Sequence, residues 1–347
     1  MNIVQKFFRF IGLSNINTLS RVFPNKYVNL LDIGARDGLV WPWSQIDRKT
    51  LKLTLVEPDR KEADKLMKKY SASVLQHALW SRECSVSLYM NQSPGTSSVF
   101  KPNMKILENF HDSHRFNSEK ALHLHARTID SLSIEGLISE MDFVKIDTQG
   151  GELEILKGGE RFLRDNIIGL EIEVEFVEMY EGQPLFSEID NFIRKSLGLE
   201  LWDLRKTYWH HKKYSQKQPI KGKIIFGDVL YFRSIESIDD WLSGKDQEYA
   251  SRKISALIMS AFAYGYLDYV AHLIDSDLVK KHLSSDLRNS IQKELNSISR
   301  GFYPFKYGNR FLYKFFNILT YCFRPTYNGW ANSEPHLGNR KKSIFWF

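Results

Sequence analysis

From Tyr27 to about Ser234 the chain alternates between short apolar runs and longer amphipathic stretches. Val28 to Ile33 reads as a buried strand, and Leu51 to Val56 as a second, followed by a helical stretch from Asp59 to Tyr70. Ser73 to Leu79 predicts a third strand. Phe143 to Asp147 predicts a fourth, with Gly151 to Asn166 as the helix behind it. Ile167 to Phe176 is the fifth, then a helix from Phe186 to Leu197, and Leu199 to Leu204 and Lys223 to Phe232 are the last two strands. Strands that alternate with helices imply right-handed crossovers and a mostly parallel sheet with helices on both faces. The stretch Ser85 to Ile129 breaks the rhythm and reads as extra short strands and loops, with a turn at Ser93-Pro94-Gly95.

After Ser234 the period changes. Asp239 to Ile298 is helical, with Ile254, Leu257, Ile258 and Ala261 on one face and a break at Gly265. Three parts follow: an amphipathic N-terminal segment (1–26), an α/β domain (27–234) and a helical extension (235–347). No internal repeat is evident.

Composition narrows the picture. The chain has 347 residues, enough for about two domains. At 43% hydrophobic and 26% charged it can bury a sizeable core, so wholesale disorder is excluded. Two cysteines, Cys84 and Cys322, exclude a disulfide framework and a four-cysteine zinc site, which fits a cytoplasmic setting. The charge of +7 is misleading as a whole-chain property. Residues 301–347 carry seven Lys or Arg against one acid, Glu334, so the rest is close to neutral. That tail also holds fifteen aromatics, and its end from Asn328 to Lys342 is turn-rich. Aromatics among bases suit packing on the core, peripheral contact with a membrane surface, or nucleic acid, the last being least favoured. The longest apolar candidate, Phe311 to Phe323, is too short to span a bilayer and contains Lys314. The N-terminus lacks a signal-peptide cleavage pattern.

Two motifs suggest a nucleoside site without phosphates. Asp32-Ile33-Gly34-Ala35-Arg36-Asp37-Gly38 closes a strand with a glycine turn, but lacks the glycine pattern of a pyrophosphate cradle. It also fits a plain tight turn. Glu57-Pro58 ends the second strand, about 20 residues on, where an acid can accept from two ribose hydroxyls. It also fits a helix-capping region in which Glu57 is solvated.

The third motif runs from Met141 through Phe143-Val144-Lys145-Ile146-Asp147-Thr148-Gln149-Gly150-Gly151-Glu152 to Leu156-Lys157-Gly158. In a strand, Lys145 and Asp147 share a face, as do Glu171, Glu173 and Glu175. Buried charges must pair or line a cleft, so Lys145 is expected to meet Glu173, with Asp147 at the ligand-binding edge. A purely structural ion-pair network fits the same residues. His77, His123 and His125 precede or lie in the inserted stretch, and each reads more simply as a surface histidine.

This third motif resembles the hallmark of the FkbM-type methyltransferases. Thr128-Ile129-Asp130-Ser131-Leu132, the acidic strand Glu171 to Phe176 and Tyr180-Glu181-Gly182-Gln183 are similar to further elements of that family. The resemblance covers about Tyr27 to Ser234. It implies a Rossmann-like class I methyltransferase sheet and S-adenosylmethionine as cofactor. Asp32, Gly34, Gly38, Glu57, Pro58 and Ala78 would bind the cofactor; Asp147, Lys145 and Glu173 would serve catalysis. A divalent cation, if used, would sit on Asp147, Glu173 and Glu175. The implied reaction is O-methylation of a sugar or glycoconjugate hydroxyl in polysaccharide biosynthesis. A non-catalytic scaffold and a nucleic-acid methyltransferase are the alternatives, and the absence of an N-P-P-Y tetrapeptide weighs against the latter. The acceptor and the oligomeric state are not fixed by the sequence.

Overall fold

A computed structural model of the chain describes residues 18–213, 222–302, 310–323, 331–334 and 337. The amphipathic segment expected at the N-terminus lies, up to residue 17, outside the described residues.

Helix α1 (Thr18–Val22) leads into β1 (Val28–Ile33), every residue of which is buried. β2 (Leu51–Val56) runs parallel to it, from Val28 opposite Leu51 to Ile33 opposite Val56. Strands covered on both faces are dominated by apolar residues, and these two were legible although Asn29, Asp32, Lys52 and Thr54 interrupt them. Helix α2 (Arg60–Lys69) follows, its N-terminus capped by Asp59, which accepts from Lys61 N at 2.9 Å.

The predicted strand Ser73 to Leu79 is split in two. Only β3 (Ser73–Leu75) joins the main sheet, ending with Leu75 opposite Val56. There β2 stops and the chain turns away at Glu57-Pro58, so residues beyond Leu75 have no neighbour to pair with. Ala78–Leu79 (β4) instead pairs with β6 (Ser118–Arg127), which pairs with β5 (Cys84–Asn91) in a separate three-stranded sheet.

Helix α3 (Ile129–Ile134) begins with a reciprocal cap between Thr128 and Ser131. β7 (Phe143–Ile146) then enters beside β1. The single helix expected from Gly151 to Asn166 is broken into α4 (Glu152–Gly158) and α5 (Glu160–Asn166). The break sits where the chain passes against the Trp80 carbonyl, so closely that any Cβ at Gly158 would overlap it. β8 (Gly169–Glu175), α6 (Phe186–Phe192), β9 (Glu200–Trp209) and β10 (Lys223–Phe232) complete the domain. β9 runs five residues past the predicted end at Leu204 because its pairing with β10 continues to Trp209.

Next come α7 (Ile235–Trp241), α8 (Gln247–Tyr264), α9 (Leu267–Asp275), α10 (Asp277–His282), α11 (Ser285–Phe302), α12 (Arg310–Phe323) and a short strand, β11 (Ala331–Ser333). The main sheet has the order β11-β9-β10-β8-β7-β1-β2-β3. β3, β2, β1, β7 and β8 are parallel, and β10, β9 and β11 are added antiparallel. This is a doubly wound α/β sheet whose chain direction switches between β1 and β7. β11 comes from the stretch expected to be turn-rich. It ties the chain end back to the sheet, with Ser333 Oγ 2.8 Å from Thr207 Oγ1 and Glu334 paired to Lys206 at 3.3 Å.

The two faces are covered differently. Helices α3 to α6 pack their apolar residues on one face. On the other, the β1–β2 connection forms only two short 3₁₀ turns (Trp43–Gln45 and Arg48–Thr50). The apolar surface this leaves is covered by α8, which is buried along its whole length from Lys253 to Tyr264. Trp43 packs against Phe143 (4.8 Å) and Tyr264 (5.8 Å) and donates to the Tyr264 hydroxyl at 3.0 Å. Each large apolar side chain buried this way contributes roughly 1.5–3 kcal/mol. Lys253 fixes the position of α8. Its buried ammonium donates to Met141 O, Asp142 Oδ1 and Asn166 O at 2.6–2.7 Å, so all three protons are satisfied.

Candidate active site

In an open α/β sheet, ligands bind beyond the carboxyl ends of the strands at the switch point. Here that point lies between the end of β1, Ile33-Gly34, and the end of β7, Ile146-Asp147. Asp147 N donates to Ile33 O at 3.0 Å and ties these two ends together, while Gly34 N donates to Val56 O at 3.0 Å and ties the end of β1 to β2. Gly34 has φ +81°, and its Cα faces the Asp147 main-chain oxygen with no space for a side chain.

A cavity opens above this junction. Of the residues expected to bind a cofactor, Gly34, Glu57, Pro58 and Ala78 line it, and Asp147 faces them from β7. Glu57 is buried; its Oε1 accepts from Asp59 N at 2.9 Å. Burial pushes the Glu57 carboxyl above its ordinary pKa, and the Asp59 amide only partly offsets this. A buried carboxylate at the end of β2, with no glycine-rich cradle beside it, fits a ribose diol rather than a pyrophosphate.

Two expected cofactor residues do not line the cavity. Gly38 makes room for the Tyr70 ring, whose hydroxyl accepts from Leu39 N at 3.1 Å. Asp32 lies beneath the junction, fully buried, with Oδ1 lacking a hydrogen bond and Lys145 Nζ 3.9 Å away. Burial raises its pKa to about 6 against the pull of Lys145.

The expected pair Lys145–Glu173 does not form. In the parallel register Lys145 stands opposite Glu171, two residues before Glu173. Its ammonium lies 3.5 Å from Asp147 Oδ2, behind the cavity wall. Burial disfavours that ammonium, but Asp147, Asp32 and Glu171 outweigh it and hold its pKa above the usual value. Glu173 also stands behind Asp147. Gln149 joins them, its Nε2 donating to Asp147 Oδ1 at 3.0 Å and to Glu173 Oε1 at 2.5 Å. Burial, then the nearby Asp147 and Asp228, push Glu173 well above the carboxylate range. Glu175 is deeper still. Neither of its oxygens has a hydrogen bond, and burial with Glu152 and Asp147 nearby drives its pKa up.

The oxygen set Asp147, Glu173 and Glu175 is therefore not assembled as a cation cradle. Gln149 occupies the space between the first two. Among the described residues no group of three or more His, Cys, Asp or Glu converges on one point.

Sequence reasoning passed over several groups at the site. Gln149 lines the cavity at φ 60°, a left-handed conformation costly for a non-glycine residue and common in functional loops. It is held by the Tyr180 hydroxyl donating to its Oε1 (3.2 Å) and Ser98 Oγ donating to its carbonyl (2.6 Å). Glu152 shapes the same loop, accepting from Thr148 N (2.7 Å), Thr148 Oγ1 (2.9 Å) and Gly150 N (2.8 Å). An acid in the first turn of α4 was the sequence signal for this. His77 lines the cavity, and burial together with Arg127 lowers its pKa, so its ring is neutral at pH 7. His123 and His125 are exposed; the alternation of β6 turns Leu124 inward instead. Leu124, Leu88, Val99 and Trp80 form an apolar outer wall supplied by the second sheet and the loop after it.

A doubly wound, mostly parallel sheet with a cavity at its switch point is the architecture of a Rossmann-like methyltransferase domain. Residues 32–201 match the family model described as the methyltransferase FkbM domain, and this stretch of the chain is a domain of that family. Among solved structures, it is similar to methyltransferase FkbM from Methylobacillus flagellatus KT, at 15% identity and a TM-score of 0.34. That match covers 61% of this chain and 45% of the other, so it spans less than half of the solved protein. It is also similar to TrmK from M. capricolum, solved with S-adenosyl-homocysteine, at 10% identity and a TM-score of 0.29, over 83% of this chain and 96% of that one. No curated protein matches the chain.

Proposed function

We propose that this protein is an S-adenosylmethionine-dependent methyltransferase that methylates a hydroxyl oxygen of a sugar or glycoconjugate. The observation that carries the reading is that Glu57, at the end of β2, and Asp147, at the end of β7, both line one cavity at the switch point. S-adenosylmethionine, when bound, supplies a methyl group already activated by a positively charged sulfur.

The remaining work falls to the chain. Glu57 accepts hydrogen bonds from the ribose hydroxyls, and Gly34 lets the backbone of β1 approach the ligand closely. Ala78 offers a small wall beyond β3. Asp147 orients the acceptor hydroxyl and takes its proton onto a carboxylate oxygen, a role worth about 10²–10⁴ in rate. Lys145 and Gln149 hold that carboxylate in place from behind. Glu173, whose carboxyl is pushed well above its ordinary pKa by desolvation and by Asp147, acts only through Gln149. Trp80 and the apolar wall suit the C–H face of a sugar ring, and Ser97 and Gln149 add polar contacts.

Calorimetry with S-adenosylhomocysteine tests the cofactor half. The wild type binds and Glu57→Ala binds far less; absence of heat from the wild type sinks the assignment. Methyl transfer to a panel of glycan acceptors tests the other half.

A further inference from the structure

Most exposed bulky apolar side chains of the described residues are gathered on one helix. Val40, Met67, Ile134 and Leu137 are scattered singly, which is ordinary for a globular surface. The other seven all belong to α12, including Phe315 (50% exposed), Ile318 (65%) and Tyr313 (70%). They are ordered along the helix. Phe311, Phe315 and Ile318 follow i, i+4, i+7 spacing, as do Leu312, Phe316 and Leu319 beside them. Lys314, exposed, falls off these two rows. The contrast with α8 is direct: that helix is less apolar, yet it is buried in the core against the sheet.

The helix is not on a free end. On one side, α11 buries Ile291 and Leu295 in the core shared with the sheet. On the other, β11 pairs with β9, and Glu334 is tied to Lys206. α12 is therefore displayed on a segment attached to the body at both flanks. At 14 residues it is too short to span a bilayer. No helix among the described residues is long and apolar enough to cross a membrane.

Charge decides the occupant. Residues 301–333 contain Lys306, Arg310, Lys314 and Arg324 and no Asp or Glu. A second copy of this chain would bring like charges together. A nucleic acid would answer the bases but not rows of Phe, Ile and Leu. A surface with anionic headgroups over hydrocarbon answers both.

We propose that α12 is an in-plane anchor that docks this protein on an anionic lipid surface. Its apolar rows sink into the headgroup–acyl boundary, and the bases of the segment contact the headgroups. This does not depend on the methyl acceptor, and it is tested without turnover.

The full-length chain is sedimented with vesicles of phosphatidylcholine alone and with vesicles containing phosphatidylglycerol. The wild type is expected to pellet with the phosphatidylglycerol vesicles, weakly with phosphatidylcholine, and less at high salt. Phe315→Glu with Ile318→Glu lowers partitioning roughly a hundredfold, and Lys314→Ala lowers it about fivefold. Both variants keep the wild-type melting temperature and S-adenosylhomocysteine affinity, since these side chains are exposed. Three results overturn the proposal. One is a wild type that stays in the supernatant with phosphatidylglycerol vesicles. Another is a double variant that pellets as the wild type does. The third is a vesicle-free wild type that is dimeric where the double variant is monomeric, which assigns the face to a second copy.

Discussion

Gly34 and the main-chain oxygen of Asp147 approach so closely that no side chain fits between them. This contact joins the ends of β1 and β7 and sets the floor of the cavity. Gly34→Ala would need both a left-handed φ and a shift of the β7 end, since the obstacle is backbone rather than a flexible side chain. We expect destabilisation of about 1–3 kcal/mol or more and loss of measurable S-adenosylhomocysteine binding. Thermal melts and calorimetry on one preparation check both. An alanine variant that melts and binds as the wild type does would show that the junction is not rigid.

Glu57 is the one buried acid among the residues that line the cavity, and the proposed function sets it against the ribose. Charge-assisted hydrogen bonds are worth about 1.5–3 kcal/mol. Glu57→Gln should therefore weaken S-adenosylhomocysteine binding roughly 10- to 100-fold. Asp59 still caps α2 through Lys61 N, so the fold should hold. Equal affinities would place the ribose elsewhere.

Asp147 and Glu173 divide roles that the sequence could not separate. Both lie on the polar face of neighbouring strands, but only Asp147 reaches the cavity. Asp147→Asn should lower kcat by about 10²–10⁴ while cofactor affinity changes little. Glu173→Gln copies the neutral form already favoured by burial, and should retain most activity. If the second substitution is as damaging as the first, Glu173 takes part in proton transfer directly.

The fold was legible where one periodicity dominated. β1 and β2 are predominantly apolar, with only Asn29, Asp32, Lys52 and Thr54 polar, and β10 was placed to the residue. Splitting of the third strand depended on where β2 ends, which is a property of its neighbour. The break at Gly158 depended on the Trp80 carbonyl, far away in sequence. At the site, Gly34, Glu57, Pro58, Ala78 and Asp147, singled out by the strand-end motifs and the family resemblance, line one cavity. Lys145 was mispaired because its partner depends on the register of β7 against β8, which the sequence does not encode locally. The strained Gln149 looked like an ordinary loop residue, since φ is set by the bonds that Tyr180, Ser98 and Glu173 make to it.

The buried acids around the β1–β7–β8 edge give stability an unusual pH dependence. Asp32 is raised from 3.8 to about 6 by burial, with Lys145 opposing. Glu152 and Glu171 are raised from 4.5 to about 7, again chiefly by burial. In the unfolded chain these groups lose their protons at their ordinary values, so between about pH 4.5 and 7 the native state binds more protons. Stability must then fall as pH rises through that window, and the loss is complete above the raised values. Lys253, lowered to about 8 by burial, acts in a higher window, above that value and below 10.5. The melting temperature should accordingly be higher near about pH 5.5 than near about pH 7.5. Glu171→Gln removes one of the protons taken up on folding, so it should flatten the slope in that window. It should leave the dependence above about pH 8 unchanged, because Lys253 governs there. A melting temperature that rises steadily from about pH 5.5 to about pH 7.5 would mean that these carboxyls are ionised and paired in the folded protein.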